Sequence, residues 1–359
     1  MLNLGQLVNT VQKNCHISDA RHAGDFTLCI FLLKMREFYR WEHDIPFANN
    51  LPKDEVGEWL QEREGMWSDL ESSAFESLPL EGRTLDPFDA ETVNRELIPQ
   101  GYVYSGGYGR FSKPHFFLGT LLKKEQRAGY TVYISSCEYA RDLEAPPAML
   151  QGKTIYIRQE SVRRFLWEKI EEWRWNRKNE AMERALACYP FEIDMNSALE
   201  RMTENETAAM ILHELGEGLA GEKLGPDWQK MLATFSRSKA EIMVRAVRDI
   251  LADCLSTLPG LLASNNTASL HFYFANFTGM RKHLFPEALE AYRRWATADD
   301  RQALRVLVEA GQRRWLETAR AIMNLYREKG EQAGTAIENL LEPAPESPLG
   351  CPPKAASTP

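Results

Sequence analysis

The chain has 359 residues, 44% hydrophobic and 26% charged, enough for a sizeable core in two domains or in one large domain with a smaller lobe. Its formal net charge of −8 argues against a general nucleic-acid-binding surface, so nucleic acid is not an expected partner. No apolar run reaches the roughly 18 residues of a bilayer span, and MLNLGQLVNTVQKNC lacks the basic start of a secretory signal, so no membrane partner is expected. The cysteines at 15, 29, 137, 188, 254 and 351 are scattered and form no CxxC pair. That usage predicts free thiols in a reduced, cytoplasmic protein, with Cys29, Cys188 and Cys254 buried in apolar surroundings.

In chain order, Gly24 to Glu42 reads as a helix with Asp25 as its N-cap. Phe26, Leu28, Cys29, Ile30, Phe31, Leu32 and Leu33 make its first half apolar nearly all round, which predicts a central helix. Residues 44–98 are rich in Pro, Gly and acids and read as surface loops with short helices, one near Asp54–Arg63. The segments YVY, TVYIS and TIYIR, beginning at Tyr102, Thr131 and Thr154, read as three short strands. Between the first two, KPHFFLGTLLKKEQRAG reads as a helix with Pro114 in its first turn. SVRRFLWEKIEEWRWN, from Ser161, is a further helix with apolar residues at helical spacing.

From Ala181 only helices are expected, over 181–188, 204–220, 237–258, 286–297, 299–311 and 312–329. The aromatic cluster Phe272, Tyr273, Phe274 and Phe277 interrupts them as a strand or a short buried helix. The expected class is α+β and predominantly α-helical, a helical bundle with a small inserted β-sheet. The expected domains are an N-terminal helical region over 1–180, with its sheet at about 101–158, a C-terminal helical bundle over 181–340, and a disordered tail over 341–359.

Two stretches carry candidate chemistry. ILHELGEGLAGEKLGP, from Ile211, contains His-Glu-x-x-Glu, one residue away from the zinc-peptidase pattern. Glu217 stands where that pattern has its second histidine, so the peptidase signature fails. Thr203 and Glu206 have the spacing of a capping box, and Glu206, His213 and Glu217 share one stripe at the edge of the apolar face. His213 and Glu217, four residues apart, suit a divalent metal such as Zn, Fe or Mn, with Asp249 and Asp253 as further ligands from the next helix. Gly216, on the buried side, predicts close approach of a neighbour.

The second stretch is YSGGYGRFSKPHFF, from Tyr104. Gly106, Gly107 and Gly109, followed by Arg110 and Lys113, would form an anion-binding nest, although neither phosphate-loop nor dinucleotide spacing is present. The favoured reading is therefore a metal-binding protein, in its fuller form a metalloenzyme with a His/carboxylate site between helices. One alternative is a non-enzymatic helical scaffold or protein-interaction protein, marked by an exposed apolar patch or a two-fold interface with a second copy. The other is a small-anion or nucleotide binder at the Gly-rich loop.

CHISDARHAGDFTLC, YSGGYGRFSKPHFFLG, LEAPPAMLQG and HELGEG together resemble a family of uncharacterised, predominantly helical bacterial proteins of about this length. The resemblance covers most of the chain up to the tail and implies no activity and no site residue.

Overall fold

A computed structural model describes residues 2–109 and 112–342. The expected disordered tail lies outside them beyond Glu342, as does Arg110. The chain forms two compact units. The first comprises residues 1–223 and 252–277, the second residues 224–251 together with the chain from Thr278 onward.

The first unit opens with α1 (Leu4–His22), α2 (Leu28–Glu42) and α3 (Lys53–Leu70). A two-stranded hairpin, β1 (Leu78–Leu80) and β2 (Arg83–Leu85), leads to α4 (Ala90–Leu97), capped by Asp89. The main sheet contains β3 (Tyr102–Tyr108), β4 (Pro114–Arg127), β5 (Tyr130–Arg141), β6 (Ala148–Gln151) and β7 (Thr154–Arg158). Its order is β3-β4-β5-β7-β6, antiparallel except for the parallel β5–β7 pair, and it curves as a half-barrel. The helices α5 (Gln159–Trp175), α6 (Glu180–Ala187) and α7 (Met195–Leu224) come next.

The second unit holds α8 (Asp227–Thr234) and α9 (Lys239–Ala252), apart from the last residue of α9. A π-helical turn, Asp253–Thr257, continues α9 into α10 (Leu258–Ala263) and α11 (Thr267–Ala275), which belong to the first unit. The second unit is completed by α12 (Gly279–Leu284), α13 (Glu287–Ala298), α14 (Arg301–Lys329) and α15 (Gly334–Leu341).

The fold is thus mostly helical with an inserted sheet, as the periodicity predicts. Several elements differ in kind. Residues 114–127 form β4, not a helix, because β3 and β5 pair with it on both sides. Leu, Lys, Glu, Gln and Arg favour helices in isolation, and tertiary pairing overrides that preference. Residues 301–329 form one continuous α14 rather than two helices. Leu304, Val308, Gly311, Trp315, Ala319 and Ile322 keep a single buried stripe across the expected break. The aromatic cluster lies on and just beyond α11, a helix.

Three buried clusters hold the sheet and the first helices together. Leu7, Val11 and Cys15 of α1 pack with Tyr104, Phe116 and Leu118 of the sheet and with Val93 and Leu97 of α4. Val103, Phe117 and Tyr156 fill the other side of the sheet. Met35 and Phe38 of α2 pack on Trp67 of α3. The Asn94 side chain accepts from the Tyr104 amide at 2.9 Å and donates to the Tyr104 carbonyl at 2.7 Å. A side-chain amide thereby does at β3 what a neighbouring strand would otherwise do.

Candidate functional site

The His213 stripe is built within the first unit. Thr203 and Glu206 do not start a helix, since α7 begins eight residues before Thr203, at Met195. Thr203 Oγ1 donates back to the Leu199 carbonyl at 2.7 Å, and buried Glu206 accepts the Ser269 hydroxyl at 2.6 Å. The His213 ring has a carboxylate at each nitrogen. Its Nδ1 lies 3.1 Å from Asp253 Oδ1 and its Nε2 3.6 Å from Glu217 Oε1. The other Asp253 oxygen accepts the Tyr273 hydroxyl at 2.8 Å. Asp253 is fully buried, whereas the imidazole keeps 32% of its surface in water. Burial alone would lower the pKa of the ring. Hydrogen bonds to Asp253 and then Glu217 outweigh it, and the pKa stands well above the usual value for histidine.

This arrangement corrects the metal expectation. Among the described residues, no group of three or more His, Cys, Asp or Glu side chains is placed to hold a metal ion. The reason is geometric: Asp253 and Glu217 meet the ring at opposite nitrogens, so the three side chains do not converge on one point. Asp253 is engaged on both oxygens. Asp249 belongs to the second unit, 3.6 Å from the Arg248 guanidinium. Arg245 pairs with Glu241 at 2.7 Å. Asp253 thus links the His213 ring to the Tyr273 hydroxyl, with Glu217 at the other ring nitrogen, and the divalent cofactor expectation falls with the metal reading.

The Gly-rich stretch is divided among three settings. Gly106 and Gly107 lie in β3 and line a cleft of about 820 Å³ with Arg95, Lys124, Gln151 and Lys153. A Cβ at Gly106 would overlap the Pro87 carbonyl oxygen, so close backbone approach explains that glycine. Gly109 lies against the His115 ring. Lys113 is buried, with Nζ 3.2 Å from Asp19 Oδ1. His115 Nδ1 lies 3.1 Å from Asp142 Oδ2. Burial would lower the His115 ring's pKa, but Asp142 raises it above normal. Burial, with help from the Asp142 charge, pushes Asp19 up to about 7 despite Lys113. The Lys113–Asp19 and His115–Asp142 pairs anchor the β3–β4 connection internally.

The third feature is a surface. In α2, Phe31, Met35 and Phe38 face inward at helical spacing. Leu28, Ile30, Leu32 and Leu33 remain 70%, 46%, 44% and 59% exposed, and Cys29 is exposed among them. The helix is therefore not central, because its own chain covers only one side of it. Cys188 is exposed too, and of the three cysteines expected to be buried only Cys254 is. The helix itself begins at Leu28 after Thr27, while Asp25 sits in the preceding 3₁₀ turn.

These features define a predominantly helical α+β protein with a hydrogen-bonded histidine and an uncovered apolar helix face, and no described helix is long and apolar enough to cross a membrane. The chain belongs to a family of unknown function, DUF6866: residues 6–158 match its N-terminal domain and residues 163–344 its C-terminal domain. No curated protein and no solved structure matches it.

Proposed function

We propose that the protein is an interaction module that pairs with a second copy of itself through the apolar half of α2. The observation that carries the reading is the exposure of Leu28, Ile30, Leu32 and Leu33 in one run of the helix. Burying one such side chain fully is worth roughly 1.5–3 kcal/mol, so a face of this composition favours association. Its flanks support self-pairing. Asp25 precedes Leu28 by three residues and Arg36 follows Leu33 by three, and each side chain is 52% exposed. Two such helices packed antiparallel about a two-fold axis would bring each Asp25 to the partner's Arg36.

Sedimentation velocity over a concentration series tests this. The wild type should show a reversible dimer, and the Leu28→Glu/Leu33→Glu double variant should remain monomeric with an unchanged thermal midpoint. A wild type that stays monomeric throughout the series would sink the proposal.

A further inference from the structure

A second cleft, of about 420 Å³, lies in the first unit between α2, β5 and α5. Its lining includes Arg141, Arg163 and Arg164 together with Trp41 and Phe47, and Asn196 at its exposed rim. Arg141 is 2% exposed and Arg164 6%. Arg141 Nη2 donates to the Glu37 carbonyl at 3.2 Å, and its guanidinium stacks 4.6 Å from the Trp41 ring centroid. Arg164 binds Glu168 through Nη1 and the Glu144 and Ala145 carbonyls through Nη2. Nε of Arg141, of Arg163 and of Arg164 is buried and has no hydrogen-bond partner among the described residues.

Such orphaned donors are costly, because each loses its water without regaining an acceptor. The carboxylates of the cleft do not meet them. Glu37 takes Arg40 Nε at 3.2 Å, and Glu160 takes the Glu138 amide at 2.7 Å. Asp44 lies at the exposed rim. Guanidinium groups match planar or tetrahedral oxyanions, and the volume is that of a small-molecule site.

The geometry points to this cleft as a binding site for a small organic oxyanion, a carboxylate or phosphate monoester, held by Arg141, Arg163 and Arg164 with its apolar body against Trp41 and Phe47. The site is independent of the pairing face.

Isothermal titration of the full chain with benzoate, phenyl phosphate, acetate and inorganic phosphate tests it. Saturable binding of benzoate or phenyl phosphate is expected, with the preferred head group identifying the class and acetate or inorganic phosphate at least ten-fold weaker. Arg163→Ala and Asn196→Asp, which removes one donor and adds a charge at the exposed rim, should each weaken binding at least ten-fold while leaving the circular dichroism melt unchanged. No saturable binding by either aromatic anion, binding unaffected by both variants, or equal binding of acetate or inorganic phosphate would each overturn the assignment.

Discussion

His213 Nδ1 and Asp253 Oδ1 lie 3.1 Å apart, joining α7 to the π-helical turn, with Glu217 on the opposite ring nitrogen. The two carboxylates favour the protonated form of His213 over the neutral one. The Asp253 contact ties α7 to that turn.

Because its folded pKa is raised, His213 contributes stability that is complete below the unfolded value of about 6.5. That contribution is lost as pH rises through the higher folded value. Imidazole proton NMR should find the ring protonated at pH 7.5. Urea midpoints of wild type and His213→Gln should differ most below about pH 6.5 and converge in the alkaline range. A ring that titrates near its ordinary value would remove the basis for this prediction.

Glu206 behaves in the same sense for a different reason. Burial pushes its carboxyl up to about 7, with the Ser269 hydroxyl opposing in part. The native state therefore holds a proton that the unfolded state releases above about pH 4.3, and stability falls as pH rises from there to about 7. Glu206→Gln keeps an acceptor for Ser269 and removes the titration. The variant should gain on the order of 1–3 kcal/mol over wild type at pH 8 and lose that advantage near pH 4, read from denaturant titrations.

Two glycines of α7 should respond oppositely to alanine. A Cβ at Gly216 would overlap the Ala252 carbonyl oxygen, a backbone atom that cannot swing away. Gly216→Ala should cost about 1–3 kcal/mol through overpacking. At Gly221 the added Cβ meets nothing within 4 Å, so Gly221→Ala should stabilise by roughly 0.5–1 kcal/mol through helix propensity. Thermal melts of the two variants give the sign directly.

Cys29 reports on the pairing face. It is exposed among the uncovered leucines of α2. In a variant whose other cysteines are serine, a short bis-maleimide should link two chains through Cys29. The Leu28→Glu/Leu33→Glu change should suppress the linked band on a denaturing gel by at least ten-fold.

Much of the fold was legible because patterning is local. β3, β5 and β7 carry the aromatic and β-branched residues that strands favour, and α6, α13 and the helical tract around His213 show helical spacing. β4 was not legible, because its composition is that of a helix and only its two neighbours make it a strand. Its register slips between Leu118 and Gly119, between Gly119 and Leu121, and between Leu121 and Lys123, which also blurs the alternation. The apolar half of α2 was visible, but periodicity shows which residues avoid water, not which chain covers them. The spacing of acidic residues brought Asp253 to His213 as a metal ligand, but the direct contact across 40 positions was not legible, and Tyr273 was visible only as a member of an aromatic cluster. The Arg163–Arg164 pair was in plain view in SVRRFL. Its orphaned Nε atoms could be found only once the side chains around them were in place.

The π-helical turn at Asp253–Thr257 bears on how this chain tolerates changes of length. It is one residue looser than an α-helical turn, so removing a single residue there would let the backbone relax into regular α-helix. That relaxation would remove the extra residue itself and leave Leu258, Leu261 and Leu262 of α10 on their buried side. The same deletion among the exposed residues 48–50 would be absorbed by the loop. A one-residue deletion at this turn that keeps Asp253 should therefore be accepted, as between α2 and α3, whereas one within a regular helical turn would turn every residue beyond it by about 100°, a map of permitted chain length set by one irregular turn.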